Sequence, residues 1–190
     1  LKLDYPVKLL LAGGLHYSKG PDLIIKALYN LDIPCEIHFY GNGTLEKETN
    51  EMIKSLPKQH KVIIHGFLSH KELIRIMSEE THILVNSTRS MGVDEQSEGY
   101  PFKMLEYAAT GIPIISSTIG KLDDEFNNLV NFYETENPNE IANVIKYVIN
   151  NYENCVKNAY MLQSQVLEKY SIPTISKKIG LFIEEISKIK

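Results

Sequence analysis

Cysteine is nearly absent: Cys35 and Cys155 are the only two thiols. Residues so few and so far apart build neither a disulfide framework nor a metal cluster. Cys35 falls at the start of an expected strand, where a small buried hydrophobe belongs. An excess of either charge is also missing. Twenty Lys and Arg stand against 24 Asp and Glu, a net charge of -4, so overall balance implies no nucleic acid as partner. No apolar run approaches the ~20 residues that span a bilayer, and the start carries no signal-peptide pattern. The chain therefore reads as cytoplasmic, with peripheral attachment at the inner membrane surface left open. Repeats and low-complexity tracts are missing too. What remains is an ordinary globular composition, 43% hydrophobic and 23% charged over 190 residues, enough for one domain with a substantial core.

Several chemical signatures are also lacking. His16, His38, His60, His65, His70 and His82 are scattered without metal-ligand spacing, and each reads as structural or solvated. No Ser-His-Asp arrangement can be argued. Neither a G-x-G-x-x-G fingerprint nor a P-loop occurs.

What is present is an alternation of apolar runs, glycine turns and amphipathic stretches. Residues 7–12 form a continuous apolar run ending in Gly13-Gly14, the pattern of a buried parallel strand and a tight turn. Lys19-Gly20-Pro21-Asp22 then opens a helix to about residue 30, with Leu23, Ala27 and Leu28 inward. The unit repeats: a strand over 35–40, the turn Gly41-Asn42-Gly43, and a helix over 45–56 stopped by Pro57. A third strand over 62–65 leads into Gly66-Phe67-Leu68. Ser69 caps a helix over 71–80, with Glu72 completing a capping box. Further strands are expected over 81–86, 112–116 and 129–133, and helices over 137–151 and 153–170. A last amphipathic segment, 175–189, carries Ile179, Phe182, Ile183 and Ile186, which must cover either this domain's own sheet or a partner. The alternation implies a Rossmann-like α/β fold, a parallel sheet of about six strands with helices on both faces. Such sheets bind ligands at the carboxyl ends of their strands, so the glycine turns share one edge with the segment after the fourth strand.

That segment is the centre of the chain. Pro101 suits a first helical turn and Gly111 a helix stop. Phe102, Leu105 and Ala109 fall on one face, with Glu106 beside it. The unpaired N–H groups of a helix start over residues 99–102 favour a phosphate. Glu98 precedes that start and Glu106 lies about two turns on, up to roughly 12 Å away at ~1.5 Å per residue. An anion site flanked by two acceptors for hydroxyls suits a sugar nucleotide. Spacing alone equally fits a surface Glu98 and a Glu106 paired with a cation. Gly13, Gly14 and Lys19 could hold an anion through close amides and an ammonium, or form a purely structural turn. Arg89 and Lys103 are candidate phosphate partners, with a solvated charge as the alternative for each.

Together these pieces resemble the C-terminal half of a retaining GT-B glycosyltransferase of the large family-four, group-one class. The resemblance rests on Gly13-Gly14-Leu15 followed by Lys19-Gly20, on Tyr40-Gly41-Asn42-Gly43, on Gly66-Phe67-Leu68-Ser69, and above all on Glu98-Gly99-Tyr100-Pro101-Phe102-Lys103-Met104-Leu105-Glu106 with its Gly-Ile-Pro tail. It implies that Glu98 contacts the donor sugar in catalysis and that Glu106 holds the ribose hydroxyls. It implies also that Lys19 and the start of the central helix touch the diphosphate, with the base near residues 66–68. The nucleotide sugar, UDP- or GDP-linked, is then a substrate, and neither a cofactor nor a metal is expected. A chain beginning at Leu1 fits a domain excised from a two-domain enzyme, inactive without the N-terminal domain that supplies the site for a glycan or lipid acceptor. The family usually places Arg where this chain has Gly14, and residues 90–97 look longer than usual, as a donor-dependent flap would be. A non-catalytic nucleotide-binding module and a GT-B sugar-nucleotide epimerase remain alternatives.

Overall fold

The strand sequences account for the sheet. β1 (Val7–Ala12) reads VKLLLA and buries every residue but Lys8. β2 (Cys35–Tyr40) buries Cys35, Ile37, Phe39 and Tyr40. Strands covered on both faces are apolar nearly throughout, as in the interior of a parallel sheet. With β3 (Lys61–Ile64), β4 (Ile83–Asn86), β5 (Ile114–Ser117) and β6 (Asn131–Tyr133) they form one sheet in the order β3-β2-β1-β4-β5-β6. Every pair is parallel. The computed structural model describes residues 2–90, 102–119, 122–134 and 136–187.

The helices are α1 (Pro21–Leu28), α2 (Glu46–Lys54), α3 (His70–Glu79), α4 (Lys103–Thr110), α5 (Leu122–Phe126), α6 (Pro138–Asn150), α7 (Tyr152–Tyr170) and α8 (Ile172–Ser187). Successive strand residues point to opposite faces, which divides the core in two. Leu9, Leu11, Ile37 and Phe39 meet Ile24 and Leu28 of α1 and Ile141 and Ile145 of α6. On the other face Leu10, Leu84 and Ile114 meet Met77 of α3, Met104 and Tyr107 of α4, and Leu162 of α7. The sheet is thus the Rossmann-like one expected, with helices on both faces.

Three elements differ from expectation. The buried stripe of α4 is Met104, Tyr107 and Ala108, whereas Phe102 is 76% exposed and Leu105 and Ala109 are only half-buried. Both stripes have helical spacing. The observed one lets the Tyr107 ring go inward because its hydroxyl finds backbone partners there. α5 has no counterpart in the sequence reading, and residues 127–129 wind into a 3-10 turn that delays β6 to Asn131. α8 buries none of its described residues: Ile179, Phe182, Ile183 and Ile186 are all more than half exposed. It does not cover this sheet. Pro173 lies inside its first turn, where the missing N–H costs nothing, so the helix begins earlier than residue 175.

Candidate functional site

At the carboxyl edge the turns interlock through their backbones. Gly13 N donates to Tyr40 O (2.9 Å), Leu15 N to Asn42 O (3.1 Å) and Leu45 N to Leu15 O (2.9 Å). Gly41, at φ 144°, also forms an isolated antiparallel bridge with Gly66. A Cβ on Gly41 would fall 2.2 Å from Gly13 O, so only glycine lets the first two turns close together. The third turn joins them through that bridge. Lys19 is tied to the end of β4, where Ser87 Oγ donates to Lys19 O (2.7 Å) and Arg89 N to Ser18 O (2.8 Å). Gly20, at φ 60°, allows this approach, since a Cβ there would stand 2.2 Å from Ser87 O.

α4 starts from the same edge. Tyr107 Oη accepts from Ala12 N (2.8 Å) and donates to Val85 O (3.4 Å). It therefore straddles β1 and β4, the adjacent strands from which the sheet order runs in opposite directions. That is the switch point at which open α/β sheets bind ligands. One turn earlier, the Nζ of Lys103 is buried without a hydrogen-bond partner among the described residues, 6.0 Å from the Tyr107 ring. Burial, and secondarily the charge of Lys19, pushes its pKa down to about 7. Phe102 stands at the N-cap of α4 and supplies no side-chain cap, so the helix start keeps its attraction for an anion.

Glu106, 46% exposed, bonds to His70 Nε2 at 3.2 Å. His70 opens α3 just after residues 66–68, and Ser69 caps that helix, accepting from Glu72 N and donating to the Glu72 carboxylate. The loop after β3 and the acceptor on α4 are therefore joined. Phe67, 79% exposed, and Leu68 stand at this edge as apolar surface, as does Phe102. The structure brings together Gly13, Gly14, Lys19, Gly41, Gly66, Lys103 and Glu106. Glu98, Gly99, Tyr100 and Pro101, with most of the expected flap, lie outside the described residues. Among the described residues no group of three His, Cys, Asp or Glu is placed to hold a metal ion.

Residues 2–161 match the family model described as Glycosyl transferases group 1. The chain belongs to this family. Over 147 residues it is 28% identical to the O-antigen biosynthesis glycosyltransferase WclY of Escherichia coli, covering 75% of this chain and 38% of WclY. In fold it resembles Anabaena Alr3699/HepE solved with UDP, at TM-score 0.78 and 18% identity over 94% of this chain and 48% of that one. The C-terminal domain of the group 1 glycosyl transferase LpcC of Francisella tularensis gives TM-score 0.69 and 21% identity over 87% of each chain. The chain thus spans well under half the length of WclY and about half that of HepE.

One expectation for this glycosyl transferase domain is corrected by its structure. Arg89 is not available to a phosphate. Its side chain is buried, pairs twice with Asp22 (2.8 and 2.9 Å) and once with Glu136 (2.8 Å), and lies 4.0 Å over the Tyr17 ring. Although burial disfavours its charge, these hydrogen bonds raise its pKa. The parallel register sets His38 opposite Ile63, with His65 two positions on and on the same face: Nδ1 and Nε2 are 2.8 Å apart and the stack extends to Tyr40. His70 is engaged by Glu106, the structural one of the two roles expected for it. At Gly14 a Cβ would come within 2.5 Å of the His16 ring, so an arginine there would first have to displace His16.

Sequence reasoning missed Tyr107 and His70. The stripe Met104-Tyr107-Ala108 was a usable signal for the first. The second had none, since nothing local to His70 shows that α4 lies opposite. A cavity of about 840 Å³ opens elsewhere, lined by Lys2, Leu3 and residues from Ile149 to Tyr160; no expected site residue borders it.

Proposed function

We propose that the edge described above binds a nucleoside-diphospho-sugar and that the complete protein transfers its hexosyl group, with retention, to a glycan or lipid acceptor. The observation that carries this reading is the buried, unpartnered ammonium position of Lys103 at the start of α4, with Lys19 as the neighbouring charge. Two lysines and a helix start suit a diphosphate, and they neutralise it without requiring a metal. Glu106, accessible and oriented by His70, suits the ribose hydroxyls. The exposed Phe67 and Leu68 offer apolar surface to a base. Glu98 is assigned to the donor sugar on the resemblance of its motif. Anabaena HepE has been solved with UDP-glucose, which favours a UDP-linked donor over a GDP-linked one. WclY acts in O-antigen biosynthesis, which favours a growing surface glycan as acceptor.

The acceptor site belongs to an N-terminal domain in this reading, and the uncovered apolar face of α8 suits docking against it. Gly14 supports a second reading, a nucleotide-binding module without transfer, because a guanidinium at a leaving diphosphate is a strong charge-assisted contact. Donor turnover by the longer protein, lost in Glu98→Ala, separates the two. The binding claim is tested by thermal unfolding with UDP and GDP. At a concentration near 100 Kd the nucleotide stabilises by about 2.7 kcal/mol. Glu106→Ala should abolish the rise in Tm, and an unchanged rise would remove the ribose assignment.

A further inference from the structure

Lys103 is an odd residue to bury. An ammonium removed from water without a partner is costly, and a second lysine nearby makes it worse. Yet the nitrogen of Lys103 is buried and unpartnered, and Lys19 adds like charge. From its own helix the groups nearby are the Tyr107 ring and Glu106, whose carboxylate is engaged by His70 of α3. α7 brings Tyr160 and Gln163 against Ala109 and Gly111 at the far end of α4. From the end of β4, Arg89 is turned into its pairs with Asp22 and Glu136. Among the described residues no hydrogen-bond acceptor offsets a positive charge on Lys103 in the empty site.

We propose that Lys103 rests as a neutral amine and takes up a proton when the donor's diphosphate arrives, so that the second cation at that group is made by binding rather than stored beforehand. The inference rests on the donor reading above. With burial holding the free amine near a pKa of about 7, the ligand's negative charge raises it on binding, and donor affinity becomes linked to pH. Above that value affinity falls about tenfold per pH unit, until the pKa of the bound form is reached. Storing one fixed cation, Lys19, instead of two spares the empty site their mutual repulsion.

Calorimetric titration with UDP-glucose, and with GDP-mannose alongside, tests this. A nucleotide sugar is the suitable probe because both its phosphates are esterified, so it lacks the terminal-phosphate proton that titrates near pH ~6. At pH 8, heats measured in HEPES and in Tris buffer, and at pH 6 in MES and in Bis-Tris, report the protons taken up: at pH 8 they should differ by the amount that corresponds to nearly one proton per donor bound. The difference should shrink towards zero at pH 6. Lys103→Arg, charged throughout, should bind with no uptake, and Lys103→Met should bind at least about tenfold more weakly with an unlowered Tm, since no partner is lost. Donor binding at pH 8 without buffer-dependent heat, or the same uptake in Lys103→Arg, overturns the inference and leaves the donor site standing. Absence of heat and of any Tm shift with both nucleotide sugars overturns the donor reading itself.

Discussion

Arg89 and Lys103 were equivalent in the sequence, two cations within fifteen residues of each other on either side of a polar loop, and the fold gives them opposite fates. Arg89 has a planar fork that Asp22 meets with both oxygens, and the Tyr17 ring closes over it. Lys103 has a single nitrogen, which has no hydrogen-bond partner among the described residues. One holds the turn after β1 to the end of β4; the other is the cation that the proposed donor site would use. The assignment is open to a direct check. Arg89→Met leaves the partly buried Asp22 carboxylate with Lys26 as its remaining cation and should lower the urea-derived unfolding free energy by about 2 kcal/mol. Nucleotide affinity, measured under conditions where the variant is still folded, should stay within about twofold of the parent. A specific loss of affinity without loss of stability would return Arg89 to the phosphate site.

Elements built on a single dominant pattern were legible beforehand. β2 occupies the span that its apolar residues and flanking Pro34 and Gly41 delimit, and Ser69 caps α3 with Glu72 completing the box. Boundaries drifted where two signals competed: β6 starts at Asn131 because Asn127 turns the chain at φ 46°. Two things could not be read locally. The inward face of α4 depends on where the β1 and β4 backbones offer partners to Tyr107, and the bond between Glu106 and His70 depends on a helix 36 positions away. The glycine turns and the paired lysines of the site were therefore visible as residues but not as one arrangement. α8 remained open in the sequence, and its apolar stripe faces outward from this sheet. It follows that α8 adds little to the stability of the rest. Ending the chain after Ser171 should leave Tm within about 2 °C, as expected for surface changes within about 0.5 kcal/mol, and should reduce binding of a hydrophobic dye. A larger fall in Tm would mean that α8 packs on the body after all.

At the scale of the whole molecule, two buried histidines fasten strand ends far from the donor edge, and they set how the fold responds to acid. His82 Nδ1 accepts from Lys8 N (3.0 Å), which leaves its proton on Nε2, facing Asp4 at 3.0 Å. His60 Nδ1 accepts from Cys35 N (3.3 Å), leaving Nε2–H to donate to Leu31 O (3.1 Å). Both rings are held neutral, and burial lowers both pKa values. The unfolded chain binds protons at these positions from pH ~6.5 downward and the folded one only at lower pH, so stability is present above that value and is lost as pH falls. His65, exposed but lowered by its partial burial and by the charge of His38, adds a smaller slope in the same window, and the remaining shifted groups act outside it. Asp22 is held down by Arg89 and Lys26 against the effect of burial, and its contribution fades only below about pH 5. Lys103, lowered to about 7, makes stability rise with pH above neutrality and has no slope below it. Between pH 6.5 and 5 the unfolding free energy should therefore fall by up to about 1.4 kcal/mol per pH unit for each histidine. Urea titrations across that range should find a clearly smaller slope in His82→Gln, whose amide oxygen can still accept from Lys8, and only the small remainder carried by His65 when His60→Gln is added. An undiminished slope in the double variant would mean that other groups carry the acid sensitivity.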